Sequence, residues 1–94
     1  MPTIQEIKKR NEEAGQHFFD ASTMEFFDSR IYKSTYGFYF ATSERGPSGV
    51  RRYSVRLIDW ETGKIETVGD FQQFRTLREA YKFADEQNAG SLTR

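Results

Sequence analysis

The sequence predicts a two-layer α+β domain in which a three-stranded antiparallel meander packs on one face against a C-terminal helix. An N-terminal helix and a short second helix are predicted before the strands. Three helix-start motifs, a change of hydrophobic period from near 3.6 to 2, and turn residues between the alternating segments support this fold. With helix on one face only, we expect the other face of the sheet to meet solvent or a partner.

The predicted helix starts share one motif, Ser or Thr followed three residues later by Glu. In this capping box the hydroxyl and the carboxylate each satisfy a backbone N–H that is open at a helix start. The three motifs are Thr3–Glu6, Ser22–Glu25 and Thr76–Glu79. The predicted helices run over about 4–14, 23–28 and 77–88, and the third has the clearest apolar spacing, from Leu77 to Ala84.

Alternation of apolar and polar residues predicts the strands. They run over 36–42, 51–60 and 64–68, with a Gly- and Pro-containing loop over 44–49 and a tight reversal at 61–63. Alternation and helical spacing converge on a predicted core, which consists of Phe38, Phe40, Val55, Leu57, Ile65, Leu77, Ala80, Tyr81 and Ala84. The phenylalanine pairs at 18–19 and 26–27 are also interpreted as core, with one ring of each pair buried and the other covering a helix edge. The alternative for these pairs is a stacking platform for bases or a hydrophobic docking surface for a partner protein.

Length and charge limit the domain organisation and the classes of function that the sequence allows. The 94 residues fit a single domain over 1–94, with a frayed tail predicted over 89–94. Fourteen basic and fourteen acidic residues give no net charge, but residues 31–56 carry five basic residues and one acidic residue. No segment has the length of a membrane span and the start lacks the layout of a secretory signal, so we expect a cytoplasmic protein.

Residues that carry catalytic or metal chemistry are few. The chain has no cysteine, and His17 is its only histidine, so no thiolate site or His and Cys metal set is predicted. The sequence also lacks a nucleophile elbow and a phosphate-binding loop motif. We therefore expect a protein that is not an enzyme and that uses no cofactor, metal or small-molecule substrate.

The run Arg51-Arg52-Tyr53-Ser54-Val55-Arg56 is the strongest candidate for a binding surface, because a strand places Arg52, Ser54 and Arg56 on one face. Basic groups interleaved with an aromatic residue suit a phosphate backbone, although a solvated sheet face has the same pattern. The predicted binding face consists of Tyr39, Arg51, Arg52, Arg56, Trp60 and Lys64.

Several strings of the sequence resemble a family of small uncharacterised proteins encoded by phages, plasmids and other mobile elements of bacteria. They are NEEAGQHFFDASTMEFFDSRI, YFATSE, RRYSVRLIDWETGKIETVGDFQQF and TLREAYKFA. The family pattern is H-[FW]-F-x-x-x-T-M-x-F-F-x-S-R followed by a strand, a turn and a strand that ends in T-V-G-x-F. The resemblance implies a mobile-element context and brings no assigned activity or catalytic residue. The three strands and final helix also look like small arm-type DNA-binding domains of integrases.

Two hypotheses about function follow from these observations. The first is a non-catalytic protein-interaction module, an accessory protein of a phage or mobile element that binds a protein partner or its own copy. The alternative is a nucleic-acid-binding domain that uses the basic face of its three-stranded sheet.

Overall fold

Three helices and four strands make up the described part of the chain in the computed structural model, which describes the backbone of residues 2–92 and the side chains of residues 2–90. The four strands form one antiparallel sheet in the order β1-β2-β3-β4. The elements are α1 (Ile4–Glu13), α2 (Ala21–Phe26), β1 (Arg30–Tyr36), β2 (Tyr39–Arg45), β3 (Arg51–Ile58), β4 (Ile65–Val68) and α3 (Leu77–Leu92).

The α+β class is confirmed, but the prediction of three strands is wrong. The segment predicted as one strand over 36–42 contains the end of β1, a tight turn and most of β2, and Tyr36 pairs with Tyr39 across the turn. Gly37 supplies the positive φ of +61° that this turn requires. Phe38 lies in the turn and is 43% exposed, so its assignment to the core is also wrong.

One face of the sheet packs against α3, as predicted. Ala41 and Val55 are fully buried beneath Ala80 and Ala84 of the helix. These small side chains let the helix backbone approach the sheet, and a ring of larger residues closes the edges of the contact. That ring includes Tyr32, Tyr36, Tyr53, Leu57, Val68, Phe74, Leu77, Tyr81 and Phe83.

The second face of the sheet is covered as well, so the prediction of an open face is wrong. Ile7 of α1 and Phe19 from the segment between α1 and α2 pack on Phe40 and Ile58. Every residue from Tyr39 to Glu44 is buried, because β2 has apolar or satisfied polar side chains on both of its faces. The N-terminal segment therefore forms a third layer.

The remaining predicted core residues divide into two groups. Phe40, Val55, Ala80 and Ala84 are fully buried, which confirms these assignments. The other four are half-buried and pack at the edges of the two apolar clusters: Leu57, Ile65, Leu77 and Tyr81.

The helix starts bear out two of the three predicted motifs. Thr3 and Glu6 form the complete capping box, and the hydrogen bonds from Thr3 lower the pKa of the Glu6 carboxyl. The backbone N–H of Glu79 donates to the Thr76 hydroxyl at 3.2 Å. The Ser22 motif does not cap α2, which starts two residues earlier than predicted, at Ala21, with Asp20 as its N-cap residue.

Helix α3 continues past its predicted end at Asn88 and runs to Leu92. The tail predicted over 89–94 therefore overlaps the helix as far as residue 92. Positions 93 and 94 of that tail lie outside the described residues.

Helix α1 is held against the connection between β3 and β4 by side-chain donors. Arg10 donates to the backbone carbonyls of Trp60 at 2.6 Å and Glu61 at 2.8 Å. The buried Asn11 amide donates to the carbonyl of Gly63 at 2.7 Å. A Cβ at Gly63 would lie 2.4 Å from Ala14 Cβ and 3.2 Å from the Arg10 carbonyl oxygen, so only glycine permits this contact.

We predict that Gly63→Ala destabilises the protein by roughly 2–5 kcal/mol, because the left-handed backbone costs about 1–2 kcal/mol and the collision with α1 adds about 1–3 kcal/mol. Gly49→Ala is the matched control, since Gly49 also has a left-handed backbone, with a φ of +78°, and no atom lies within 4 Å of its added Cβ. Urea unfolding of both variants checks this. Equal losses of stability would contradict the close contact between α1 and the β3–β4 connection.

Candidate functional site

An ion pair is buried on the face of the sheet that α1 and α2 cover. Arg56 of β3 donates from Nη2 to Oε2 of Glu44 in β2 at 3.0 Å, and the two side chains are 11% and 1% exposed. In the antiparallel register Thr42 pairs with Ser54 and Glu44 pairs with Arg52. The pleat therefore places the side chains of Thr42, Glu44, Ser54 and Arg56 on the same face.

Three hydroxyl groups also form hydrogen bonds with this pair. Thr42 Oγ1 donates to Glu44 Oε2 at 2.5 Å and accepts from Arg56 Nε at 3.0 Å. Ser54 Oγ donates to Glu44 Oε1 at 2.7 Å, and Arg56 Nη1 donates to Thr67 Oγ1 at 2.6 Å. A buried charge pair without such partners would be strongly unfavourable, so these hydroxyls make the buried position tolerable.

Two phenylalanine rings flank the guanidinium. The Cζ atom of Arg56 lies 5.4 Å from the ring centroid of Phe18 and 5.4 Å from that of Phe71. These distances are within the range of cation–π attraction, which is stronger where water is excluded. Phe18 precedes α2 and Phe71 follows β4, so the arginine joins two connecting segments to the middle of the sheet.

A pocket of about 220 Å³ opens above the ion pair. We call it the Arg56 pocket. Thr42, Glu44 and Arg56 supply its polar floor. Its apolar walls and polar edge consist of Phe18, Thr23, Met24, Phe27, Ser29 and Phe71. An apolar pocket with a few convergent polar groups is the usual form of a small binding site.

The floor of the Arg56 pocket retains hydrogen-bonding capacity. A guanidinium carries five N–H donors. Three of those on Arg56 have acceptors, Thr42, Thr67 and Glu44. Two N–H groups, one on each Nη, therefore have no acceptor among the described residues.

Exposed phenylalanine rings lie beside the mouth of the pocket. Phe26 is 77% exposed and its ring meets that of Phe27 edge-on at 4.5 Å. The Phe27 ring lies 5.6 Å from that of Phe71, which is 44% exposed. We call Phe26, Phe27 and Phe71 the phenylalanine rim. The core interpretation holds for the pair at 18–19, where Phe19 is buried. It is wrong for the pair at 26–27, where Phe26 is exposed and Phe27 is only half-buried.

The six residues of the predicted binding face do not form one surface. Tyr39 is buried on the face covered by α3, opposite to Arg56. Trp60 and Lys64 are exposed at the β3–β4 connection, where the Trp60 ring packs 5.6 Å from that of Phe38. Only Arg56 lines the Arg56 pocket.

The other two arginines of the predicted face have internal acceptors. Arg51 donates from Nη2 to the Asp28 carboxylate at 2.6 Å and from Nη1 to the Ser43 hydroxyl at 2.8 Å. Arg52 donates to the backbone carbonyls of Phe74 at 3.2 Å and Gln73 at 3.1 Å. These arginines therefore fix the segments that precede β1 and α3.

Sequence reasoning missed most of the pocket. Glu44 was assigned to a loop, and no local signal pairs it with Arg56, twelve positions later. The sequence interpretation places the pair at 26–27 in the core, whereas Phe27 lines the wall of the pocket. The alternation around Ser54 could have indicated a polar patch on β3, but only the fold shows that α2 closes over it.

The described residues contain no cluster of metal ligands and no membrane-spanning helix. No three His, Cys, Asp or Glu side chains in the described part come together as a metal site would require. None of the described helices has the length and apolar character needed to cross a membrane.

Residues 3–85 match a family of unknown function, DUF7447, and the chain belongs to that family. No curated protein and no solved structure matches the chain.

We predict that Arg56→Met lowers the free energy of unfolding by about 3–5 kcal/mol, because it leaves the Glu44 carboxylate buried without its cation. Arg45→Met is the matched control, since Arg45 lies on the surface and its contact with Asp28 is 3.9 Å long. That control is expected to change stability by less than about 0.5 kcal/mol. Urea unfolding measures both, and an equally small effect of Arg56→Met would contradict a structural role for the ion pair.

Proposed function

We propose that this member of the DUF7447 family is a non-catalytic binding module that recognises a partner protein through its phenylalanine rim. The observation that carries the proposal is the exposure of Phe26, a large apolar residue that is 77% exposed to solvent. Exposed apolar patches next to a pocket are typical of protein interaction sites, and aromatic residues are enriched there.

The geometry of the rim supports this proposal. Phe26, Phe27 and Phe71 form a chain of ring contacts of 4.5 and 5.6 Å, which joins α2 to the segment after β4. A second, shallow region of about 410 Å³ lies along Ser22, Thr23, Phe26 and Phe27. The rim therefore offers both a raised aromatic ring and adjoining depressions for a partner's side chains.

Nucleic-acid binding remains the alternative prediction, and the arrangement of the arginines favours it less. Arg51, Arg52 and Arg56 each donate to acceptors within the protein. Phosphate contacts would have to compete with those bonds. An exposed aromatic rim suits a protein partner better.

The resemblance found in the sequence suggests a biological origin and a location for the protein. The resemblance to proteins of phages and other mobile elements supports a role as an accessory protein with a partner in the cytoplasm of a bacterial host. We propose that the protein is encoded by such an element and acts in the bacterial cytoplasm.

We predict that Phe26→Ser weakens partner binding at least tenfold, because truncation of an aromatic hot spot costs about 2 kcal/mol or more. The matched control is Val50→Ser, since Val50 is also apolar and 59% exposed but lies in the β2–β3 connection. Each variant serves as bait in quantitative affinity capture from bacterial lysate. Both substitutions are on the surface and are expected to leave thermal stability nearly unchanged.

Specific loss of a captured protein with Phe26→Ser, and its retention with Val50→Ser, would support the rim as the interface. Equal capture by both variants would contradict it. Recovery of the protein itself as the captured species would identify the partner as a second copy of this chain.

A further inference from the structure

We infer that the Arg56 pocket receives a tyrosine side chain of the partner, an inference that rests on the proposed function and names the group that the partner presents. The pocket volume of about 220 Å³ is suited to one side chain and is below the range of pockets for drug-sized ligands. Its walls include the rings of Phe18, Phe27 and Phe71, which favour an aromatic occupant through edge and offset ring contacts.

The polar floor matches the hydroxyl of a phenol. Two N–H groups of Arg56 have no acceptor among the described residues, so they can donate to an oxygen atom of the occupant. The Glu44 carboxylate accepts one hydrogen bond at Oε1 and two at Oε2, out of about four lone-pair sites, so one acceptor site is left. A phenol hydroxyl can accept a hydrogen bond from Arg56 and donate one to Glu44 at the same time.

The charge balance of the floor disfavours charged occupants. Arg56 and Glu44 cancel one another, so a carboxylate brought to the guanidinium also meets the Glu44 carboxylate, and an ammonium group meets the arginine. Phenylalanine has the right shape but no hydroxyl, and it would leave the two donors unpaired after water has been displaced. Tyrosine is the neutral aromatic side chain with an acceptor at its tip.

The position of the pocket connects it with the interface. Phe27 and Phe71 belong both to the phenylalanine rim and to the pocket wall. A partner segment that lies on the rim can therefore place one side chain into the pocket. Phe26 does not line the pocket, so the rim and the pocket can be tested separately.

The test uses three small probes of matched shape: p-cresol for a tyrosine side chain, toluene for phenylalanine and 4-methylbenzoate for a charged head. Titration into the wild-type protein is followed by two-dimensional ¹H–¹⁵N NMR, which observes the backbone amides and the Arg56 Nε–H. We expect p-cresol to shift the resonances of Thr42, Glu44 and Arg56 and to bind at least tenfold more tightly than either other probe, because a site built around a hydroxyl rejects analogues that lack it.

Equal or tighter binding of toluene or 4-methylbenzoate would overturn the inference, as would the absence of shifts with p-cresol. Phe71→Ala is expected to weaken p-cresol binding at least fivefold. Phe38→Ala is the matched control, because Phe38 lies at the β1–β2 turn and is 43% exposed, against 44% for Phe71. This variant is expected to leave p-cresol binding unchanged. Equal effects of the two variants would also count against the pocket.

The probe experiment separates this inference from the proposed function. If p-cresol fails to bind while Phe26→Ser still abolishes capture of the partner, the tyrosine inference is wrong and the protein-binding proposal stands. If p-cresol binds as expected and capture does not depend on Phe26, the pocket is real and the rim is not the interface.

Discussion

The structure depends on the burial of one ion pair within a small sheet. Glu44 and Arg56 are taken out of water on the two central strands, and a buried charge is tolerated only where hydrogen bonds replace its hydration. The groups that do so come from β2, β3 and β4, as Thr42, Ser54 and Thr67. This requirement fixes the register of three strands more tightly than apolar packing alone, since a slip of one residue would turn every partner to the other face.

The same pair also positions the connecting segments. The backbone N–H of Gln72 donates to the Ser54 hydroxyl at 2.8 Å, and its side-chain amide donates to the Glu44 carbonyl at 3.0 Å. Gln72 adopts a positive φ of +57° to make these contacts, and the turn holds Phe71 against the guanidinium. On the other side Phe18 leads into α2. The pocket and its aromatic rim are thus consequences of how the ion pair is enclosed.

The sequence predicts the features of this fold that depend on local chemistry. The capping motif at Thr3, the helical spacing from Leu77 and the alternation around Val55 each involve neighbours along the chain. The turn at Gly37 was not predicted, because the aromatic alternation continues through it and resembles one uninterrupted strand. The pocket was not predicted because its floor joins residues of different strands, and Arg56 on a strand looks like a solvated residue until α2 and Phe71 are placed over it.

The central claim is that Glu44 and Arg56 act as a pair, and a double-mutant cycle tests it most directly. The cycle compares the free energies of unfolding of Glu44→Leu, Arg56→Met, the combined variant and the wild-type protein. The account predicts that the loss of stability in the combined variant is smaller than the sum of the two single losses by a coupling energy of about 2 kcal/mol or more, because each single change leaves one buried charge without its partner. Additive losses, with a coupling energy near zero, would contradict it.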